Sequence, residues 1–94
     1  RFENEEPFVQ ASMYGSILPA AWSLMLALRA RRVASAWTSL HLIYEHEVRD
    51  LIGIPENFTQ AALLPIAWLT GGDLHPAKRL PLPEVACWNR WGEW

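Results

Sequence analysis

The sequence predicts a small α+β domain. Three observations indicate this fold class: one long apolar stretch of helix-forming residues, two shorter stretches typical of strands, and a short amphipathic segment between those two. The chain has 94 residues and forms one domain at most. A domain of this size buries only about 60–65% of its extended surface, so we expect a marginal hydrophobic core.

The first predicted element is a helix over residues 15–32. Ala, Leu and Met dominate it, and Ser16 could cap it or Pro19 could lie in its first turn. Residues 17–28 are apolar on almost all sides, which predicts a helix that is buried all round. This apolar run is too short to span a bilayer, which needs about 20 residues.

Two strands and a second helix follow. Residues 35–44 alternate in part between apolar and polar side chains, which favours a strand. Residues 45–53 predict a short amphipathic helix that Gly53 ends. Residues 60–69 predict a second strand, buried on both faces because the run is continuously apolar. Pro65 places this strand at an edge or a bulge.

The late segment 75–84 is predicted to be extended, because each of its prolines biases the preceding residue away from the helix. A short helical turn is expected over residues 84–88. Lys78 and Arg79 lie side by side between two prolines. Such a pair is either an exposed basic turn or a clamp for one specific anion, and the residues alone leave both open.

Composition excludes several functional classes. The net charge of −2 and the pI of about 5.9 argue against a general nucleic-acid binder. Cys87 is the single cysteine, so no internal disulfide indicates secretion. No histidine has zinc-site spacing, and we assign no metal and no catalytic residue. Three arginines at the first helix's end complement its dipole and are only a remote nucleic-acid patch: Arg29, Arg31 and Arg32.

The chain is rich in tryptophan. Indole rings favour burial with a partner for the N–H, and a lone domain of this size would struggle to bury six of them. Two interpretations remain: a core shared with another chain or a missing segment, or a site for a flat aromatic ligand. The six are Trp22, Trp37, Trp68, Trp88, Trp91 and Trp94.

Four stretches occur in a fixed order along the chain. They are the apolar helix after "GSILPA", then "AWTSLH", then "LIGIP", and finally "LLPIAWLTG" followed by "PAKRLPLPEV". In order and spacing they resemble the C-terminal half of the FMN-dependent nitroreductase family, over residues 15–91. On this resemblance, residues 1–94 are the C-terminal portion of a nitroreductase-like domain, without its N-terminal half.

The resemblance implies a fold, an assembly and an activity. It implies a mixed sheet flanked by helices, in a cytoplasmic homodimer whose core holds the long apolar helix, with no nucleic-acid or membrane partner. It implies bound FMN that passes electrons from NAD(P)H to nitroaromatic or quinone-like acceptors. The alternative is a truncated, non-catalytic remnant that acts as a dimerisation or interaction module. Whether the chain itself is an enzyme stays open at this point.

The resemblance also places cofactor contacts on two segments. Backbone groups of "WTSL" are expected against an edge or face of the isoalloxazine ring. The late cations are expected to bind the FMN phosphate, which carries about −1.5 to −2 charges and which arginine can bind with two parallel donors. The residues concerned are Trp37, Thr38, Ser39 and Leu40 for the ring, and Lys78 and Arg79 for the phosphate.

The chain departs from the family pattern in several places. The Arg-Ser-x-Arg type motif of the family's N-terminal half, which also binds the phosphate, is absent. Ser23 stands where many members have Asn, and Arg32-Val33-Ala34 stands where they have a Gly-Leu-Gly turn. A complete flavin site therefore cannot be assembled from this sequence alone.

Overall fold

The computed structural model describes residues 6–72 and 74–92. The predicted α+β class is confirmed, with helices beside a two-stranded antiparallel sheet. Helix α1 packs against strand β1, strand β1 pairs with β2, and a 3₁₀ helix packs against α2. In chain order the elements are α1 (Pro7–Ala30), β1 (Val33–Ser35), the 3₁₀ helix (Leu40–Tyr44), α2 (Glu45–Ile52), β2 (Ile66–Trp68) and α3 (Leu82–Val85).

Helix α1 begins earlier than predicted. It starts at Pro7, whereas the sequence favoured a start at Ser16 or Pro19. Pro7 suits the first turn, where its missing N–H has no helical partner to lose, and the Glu6 carbonyl accepts the first helical hydrogen bonds. Pro19 lies inside the helix, where it has no N–H to donate to the carbonyl of Gly15. Pro7 and Pro19 are both suited to the first turn of a helix, and the helix starts at Pro7.

The full helix is long enough to cross a membrane by length and composition. It has 24 residues, a length of about 36 Å, and its most apolar window has a mean hydropathy of 1.3. The prediction that it is too short is wrong because it counted only residues 17–28. The core helix of a soluble assembly passes the same two criteria, so they do not identify its surroundings.

A left-handed residue joins α1 to the sheet. The N–H groups of Arg31 and Arg32 donate to the carbonyls of Leu28 and Arg29 at 2.9 and 3.0 Å, which closes the last turn. Arg32 has a φ of 61°, a conformation that side-chain-bearing residues rarely adopt. The chain reverses at this residue, and strand β1 follows at once with Val33.

Strands β1 and β2 form one end of a longer antiparallel ribbon. Val33 lies opposite Trp68 in the sheet. The same register continues to an isolated bridge between Thr38 and Leu63, where the Thr38 N–H and the Leu63 N–H each donate to the other carbonyl, at 3.1 and 2.8 Å. The ribbon therefore spans residues 33–38 and 63–68.

Pro65 divides this ribbon. The N–H of Ala36 donates to the Pro65 carbonyl at 3.1 Å, but Pro65 has no N–H to return the bond. The predicted second strand, residues 60–69, is for this reason shortened to Ile66–Trp68 plus one bridge. Its predicted burial on both faces is wrong for the single chain, because all three residues of β2 are exposed.

The strand predicted over residues 35–44 is wrong in its second half. The Ser39 carbonyl accepts a hydrogen bond from the Leu42 N–H at 3.0 Å, and the 3₁₀ helix runs directly into α2. The short apolar run at residues 40–44 contains no glycine or proline, so its alternation does not separate a strand from a helical turn. Continuity with α2 decides the conformation.

Helix α2 matches its prediction. It ends at Gly53, which has a φ of 72°, and the N–H of the following Ile54 donates to the Arg49 carbonyl at 3.0 Å. Two further hydrogen bonds fix its start to the segment before β2. The Gln60 N–H donates to Glu45 Oε1 at 3.2 Å, and Gln60 Nε2 donates to the Glu45 carbonyl at 2.8 Å.

The described chain has no buried side chain. Its accessible surface is 8146 Å², against about 5,500 Å² for a compact monomer of this mass. Its radius of gyration is 17.7 Å, against about 12 Å for a compact domain of this length. The predicted burial of α1 is therefore not met within one chain: Trp22 on this helix is 56% exposed.

The positive φ of Arg32 gives the first testable prediction. Replacing Arg32 with Gly should stabilise the fold by roughly 0.5–1 kcal/mol, because glycine lacks the Cβ that makes a positive φ unfavourable. Arg31, with a φ of −102°, provides the control: Arg31→Gly relieves no such strain and should destabilise the fold. Urea unfolding of the variants measures both. A loss of stability in Arg32→Gly would contradict the prediction.

The exposed apolar surface predicts association. We expect sedimentation to find a homodimer or a larger assembly, because this surface greatly exceeds that of an ordinary monomer. Leu24→Glu on α1 should weaken the association, whereas Glu47→Gln on the exposed polar side of α2 should not. A compact monomer that binds no hydrophobic-surface dye would refute the prediction.

Candidate functional site

The late cation pair lies on a segment outside helix and strand. The extended conformation predicted over residues 75–84 is wrong at its end, because α3 begins at Leu82, and the helical turn predicted over residues 84–88 lies earlier, at Leu82–Val85. Residues 74–81 form neither helix nor strand, and both Lys78 and Arg79 are exposed. Arg79 Nη1 donates to the Lys78 carbonyl at 3.4 Å, and neither cation pairs with a carboxylate within residues 6–72 and 74–92. Both head groups are therefore available to an anion. Pro81, the N-cap of α3, limits the freedom of the segment at its end.

The second candidate segment, residues 37–40, follows β1. Its backbone groups divide into two sets, because successive residues of a ribbon direct their N–H and C=O groups to opposite sides. Both backbone groups of Thr38 bond Leu63. The N–H groups of Trp37 and Ser39 face away from the partner strand and have no hydrogen-bond partner among the described residues.

The backbone N–H groups that remain unbonded decide whether the segment fits a flat heteroaromatic ligand. The donors of Trp37 and Ser39 lie on the open edge of the ribbon, and both residues are exposed. Thr38 is excluded as a backbone donor, because its N–H is already bonded at 3.1 Å. The segment thus fits a ring edge through two of the four residues that the sequence indicated.

The two candidate segments are linked only indirectly. Leu74, at the start of the extended segment, lines a groove of about 240 Å³ together with Trp22 and Ser35. The extended segment therefore starts beside β1. No hydrogen bond or ion pair joins Lys78 or Arg79 to residues 37–40 in the part of the chain that the structure describes. A single site containing both segments is not formed by these contacts alone.

A larger apolar groove lies between α1 and the segment before β2. Its volume is about 440 Å³, it is open to solvent, and its walls are almost entirely aliphatic. The groove offers apolar contacts and no charged side chain. It is therefore better suited to packing against another apolar surface than to catalysis. It is lined by Ile17, Leu18, Ala20, Ala21 and Leu24 of α1 and by Thr59, Ala61, Ala62 and Leu64.

The five tryptophans that the structure describes do not form a cluster of buried rings, because each of them is exposed. Trp37 is the least exposed at 38%, and Trp91 is the most exposed at 89%. Trp94 lies outside the described residues. The exposure of these rings leaves both interpretations open: a core that another chain or a missing segment completes, and a site for a flat aromatic ligand.

One polar atom of interest was missed by sequence reasoning. Nδ1 of His41, in the 3₁₀ helix, is shielded from solvent and has no hydrogen-bond partner among the described residues. The sequence offered only its spacing of four from Glu45, which is ordinary surface chemistry. No pattern in the sequence predicts that this nitrogen is enclosed, because the enclosure depends on the fold around it.

No protein-family model, no curated protein and no solved structure matches the chain.

Proposed function

We propose that the chain is the C-terminal portion of a flavin-dependent oxidoreductase of the nitroreductase type. Its reaction passes electrons from NAD(P)H, by way of FMN, to nitroaromatic or quinone-like acceptors. The order of the four sequence stretches supports this proposal, and so do the elements they form: an apolar helix, a ribbon strand after it, a helix ended by Gly53, and a basic segment outside helix and strand.

The availability of the late cations carries the proposal. Lys78 and Arg79 are adjacent, exposed and free of carboxylate partners among the described residues, in a chain whose net charge is −2. Unpaired cations on a segment with little conformational freedom suit a phosphate, because little entropy is lost on binding. Arg79 is the stronger candidate, since a guanidinium can offer two parallel donors and an ammonium cannot.

The ring of the cofactor is assigned to residues 37–40. The open N–H groups of Trp37 and Ser39 are the proposed donors, and the Trp37 side chain supplies apolar contact. Hydrogen bonds near a flavin ring tune where negative charge resides after reduction. Bound FMN would supply the electron-transfer chemistry, while this chain would bind and orient the cofactor.

A homodimer in the cytoplasm completes the proposal. Helix α1 would lie at the subunit interface, within a mixed sheet and helix assembly that other parts of the protein complete. The excess of exposed apolar surface supports such a partner, because a monomer that exposes this much is unusual. The interfaces of obligate homodimers bury about 2,000–5,000 Å² summed over both chains, so an excess of about 2,600 Å² on each chain is enough for an interface at the upper end of that range.

A non-catalytic dimerisation module remains the alternative function. The same exposed surface favours it, since α1 and the ribbon would serve association with or without a cofactor. The two functions differ in one respect: only the flavoprotein requires the late cations to bind a phosphate.

Replacing Arg79 separates the two functions. Arg79→Ala in the full-length protein should weaken FMN binding by about ten- to a hundredfold, the loss expected from one charge-assisted contact of about 1.5–3 kcal/mol. Riboflavin, which has no phosphate, should bind the variant almost as it binds the wild type. Arg79→Lys should recover only part of the FMN affinity. Fluorescence titration of both flavins measures these changes.

Lys78→Ala is the matched control. Side chains alternate along an extended segment, so Lys78 should point away from a phosphate that Arg79 contacts, and its loss should matter less. Equal losses of FMN and riboflavin affinity in Arg79→Ala would mean that the residue acts through folding. No loss of either would remove the phosphate assignment and favour the module.

A further inference from the structure

Strand β2 has one paired edge and one open edge. The N–H groups of Leu63 and Leu69 donate to carbonyls across the ribbon, at 2.8 and 3.4 Å, so the odd-numbered residues of this segment bond β1. The even-numbered residues between them therefore direct their N–H and C=O groups outward. None of these outward groups has a hydrogen-bond partner among residues 6–72 and 74–92. The outward-facing residues are Leu64, Ile66 and Trp68.

This open edge lacks the features that keep exposed strands from pairing. Monomeric proteins usually place a charge, a proline or a bulge at such an edge. Residues 60–72 contain no charged side chain, and the missing N–H of Pro65 faces β1 and not the open side. Ile66 is 51% exposed and Trp68 is 76% exposed. The edge therefore offers backbone donors, backbone acceptors and apolar side chains to another strand.

An apolar groove lies on the same face of the ribbon as these side chains. Leu64, Ile66 and Trp68 share one face because they are two residues apart. Leu64 lines the groove of about 440 Å³ whose opposite wall is α1, whereas Trp68 of the same chain does not line it. A cavity of about 150 Å³ already holds a benzene ring, so this groove has room for an indole ring.

We propose that β2 pairs antiparallel with β2 of a second copy of the chain, about a two-fold axis at Ile66. This register sets the two Ile66 residues opposite each other and sets each Leu64 opposite Trp68 of the second copy. Opposite residues of an antiparallel pair lie on the same face, so each Trp68 would reach the groove beside the other Leu64. The same edge thus supplies both the ring and the groove, which is the self-complementarity that a two-fold interface requires.

A second copy fits this edge better than an unrelated strand. Each chain exposes about 2,600 Å² more than a compact monomer of its mass, and the two-fold pairing covers an edge, a tryptophan and a groove on both chains in one contact. A strand from elsewhere in the same protein would pair with the edge but would bring no Trp68 to the groove. The inference rests on the homodimer of the proposed function, adds a contact to it and needs no flavin.

Cysteine crosslinking of the full-length protein tests the register. Ile66→Cys, in a Cys87→Ser background, places two thiols across the proposed axis. Opposed Cα atoms there lie about 5.5 Å apart, within the range of about 4.4–6.8 Å that a disulfide spans. Mild oxidation should convert most of the protein into a covalent dimer, with the linkage at residue 66 identified by mass spectrometry. Leu51→Cys on α2, an even more exposed position, is the control and should give little covalent dimer.

The tryptophan contact is tested by sedimentation of the same protein. Trp68→Ala should weaken the association by about thirtyfold, the effect of a tryptophan buried within an interface. Trp88→Ala removes a comparably exposed tryptophan outside the ribbon and should stay within about threefold of the wild type. If Trp68→Ala fails to fold, the crosslinking of Ile66→Cys decides.

Three results would overturn the inference. A protein that dimerises without forming the disulfide at residue 66 would do so and leave the proposed function intact. The same holds if Leu24→Glu weakens the association and a folded Trp68→Ala does not, because the second copy would then bind α1 alone. A monomeric wild-type protein would refute the inference and the proposed homodimer together, while its flavin absorbance would still decide separately whether the proposed cofactor is bound.

Discussion

The antiparallel ribbon of residues 33–38 and 63–68 is the interaction on which the described structure depends. Among the described elements, α1 packs only on β1, and β1 pairs with β2, so the ribbon joins the helix to the second half of the chain. Its register also decides which backbone groups are free. With Thr38 bonded to Leu63, the groups of Trp37 and Ser39 must face the other way. A shift by one residue would exchange these roles and remove both proposed donors.

The ribbon holds the elements together without enclosing them. No side chain among residues 6–72 and 74–92 is buried, and the apolar faces of α1 and β2 remain exposed. Apolar burial is the main term that offsets the loss of chain entropy on folding. A chain that buries so little has to gain this term from other polypeptide, so we expect its folding and its association to be coupled. This requirement explains why a helix predicted to be buried all round is exposed in a single chain.

The sequence predicted those features that local chemistry decides. Helix α2 and its stop at Gly53 followed from periodicity and from the tolerance of glycine for a positive φ. The absence of a helix around Lys78 followed from its prolines. The features that the sequence did not predict depend on the fold. One is the start of α1, where Pro7 and Pro19 are both suitable first-turn residues. Another is the position of β1, which begins directly after the left-handed Arg32. The enclosed nitrogen of His41 has no signature in the sequence at all.

In the candidate site, too, some features follow from local sequence and others from the fold. Residue types and order indicated both segments, but only the register separates Thr38 from Trp37 and Ser39 as donors. The central claim is that these segments belong to a protein that holds FMN, and the visible absorbance spectrum of the purified full-length protein tests it most directly. We expect the absorption bands of an oxidised flavin and the release of one FMN per chain on unfolding. A colourless protein that stays colourless after incubation with excess FMN would contradict it.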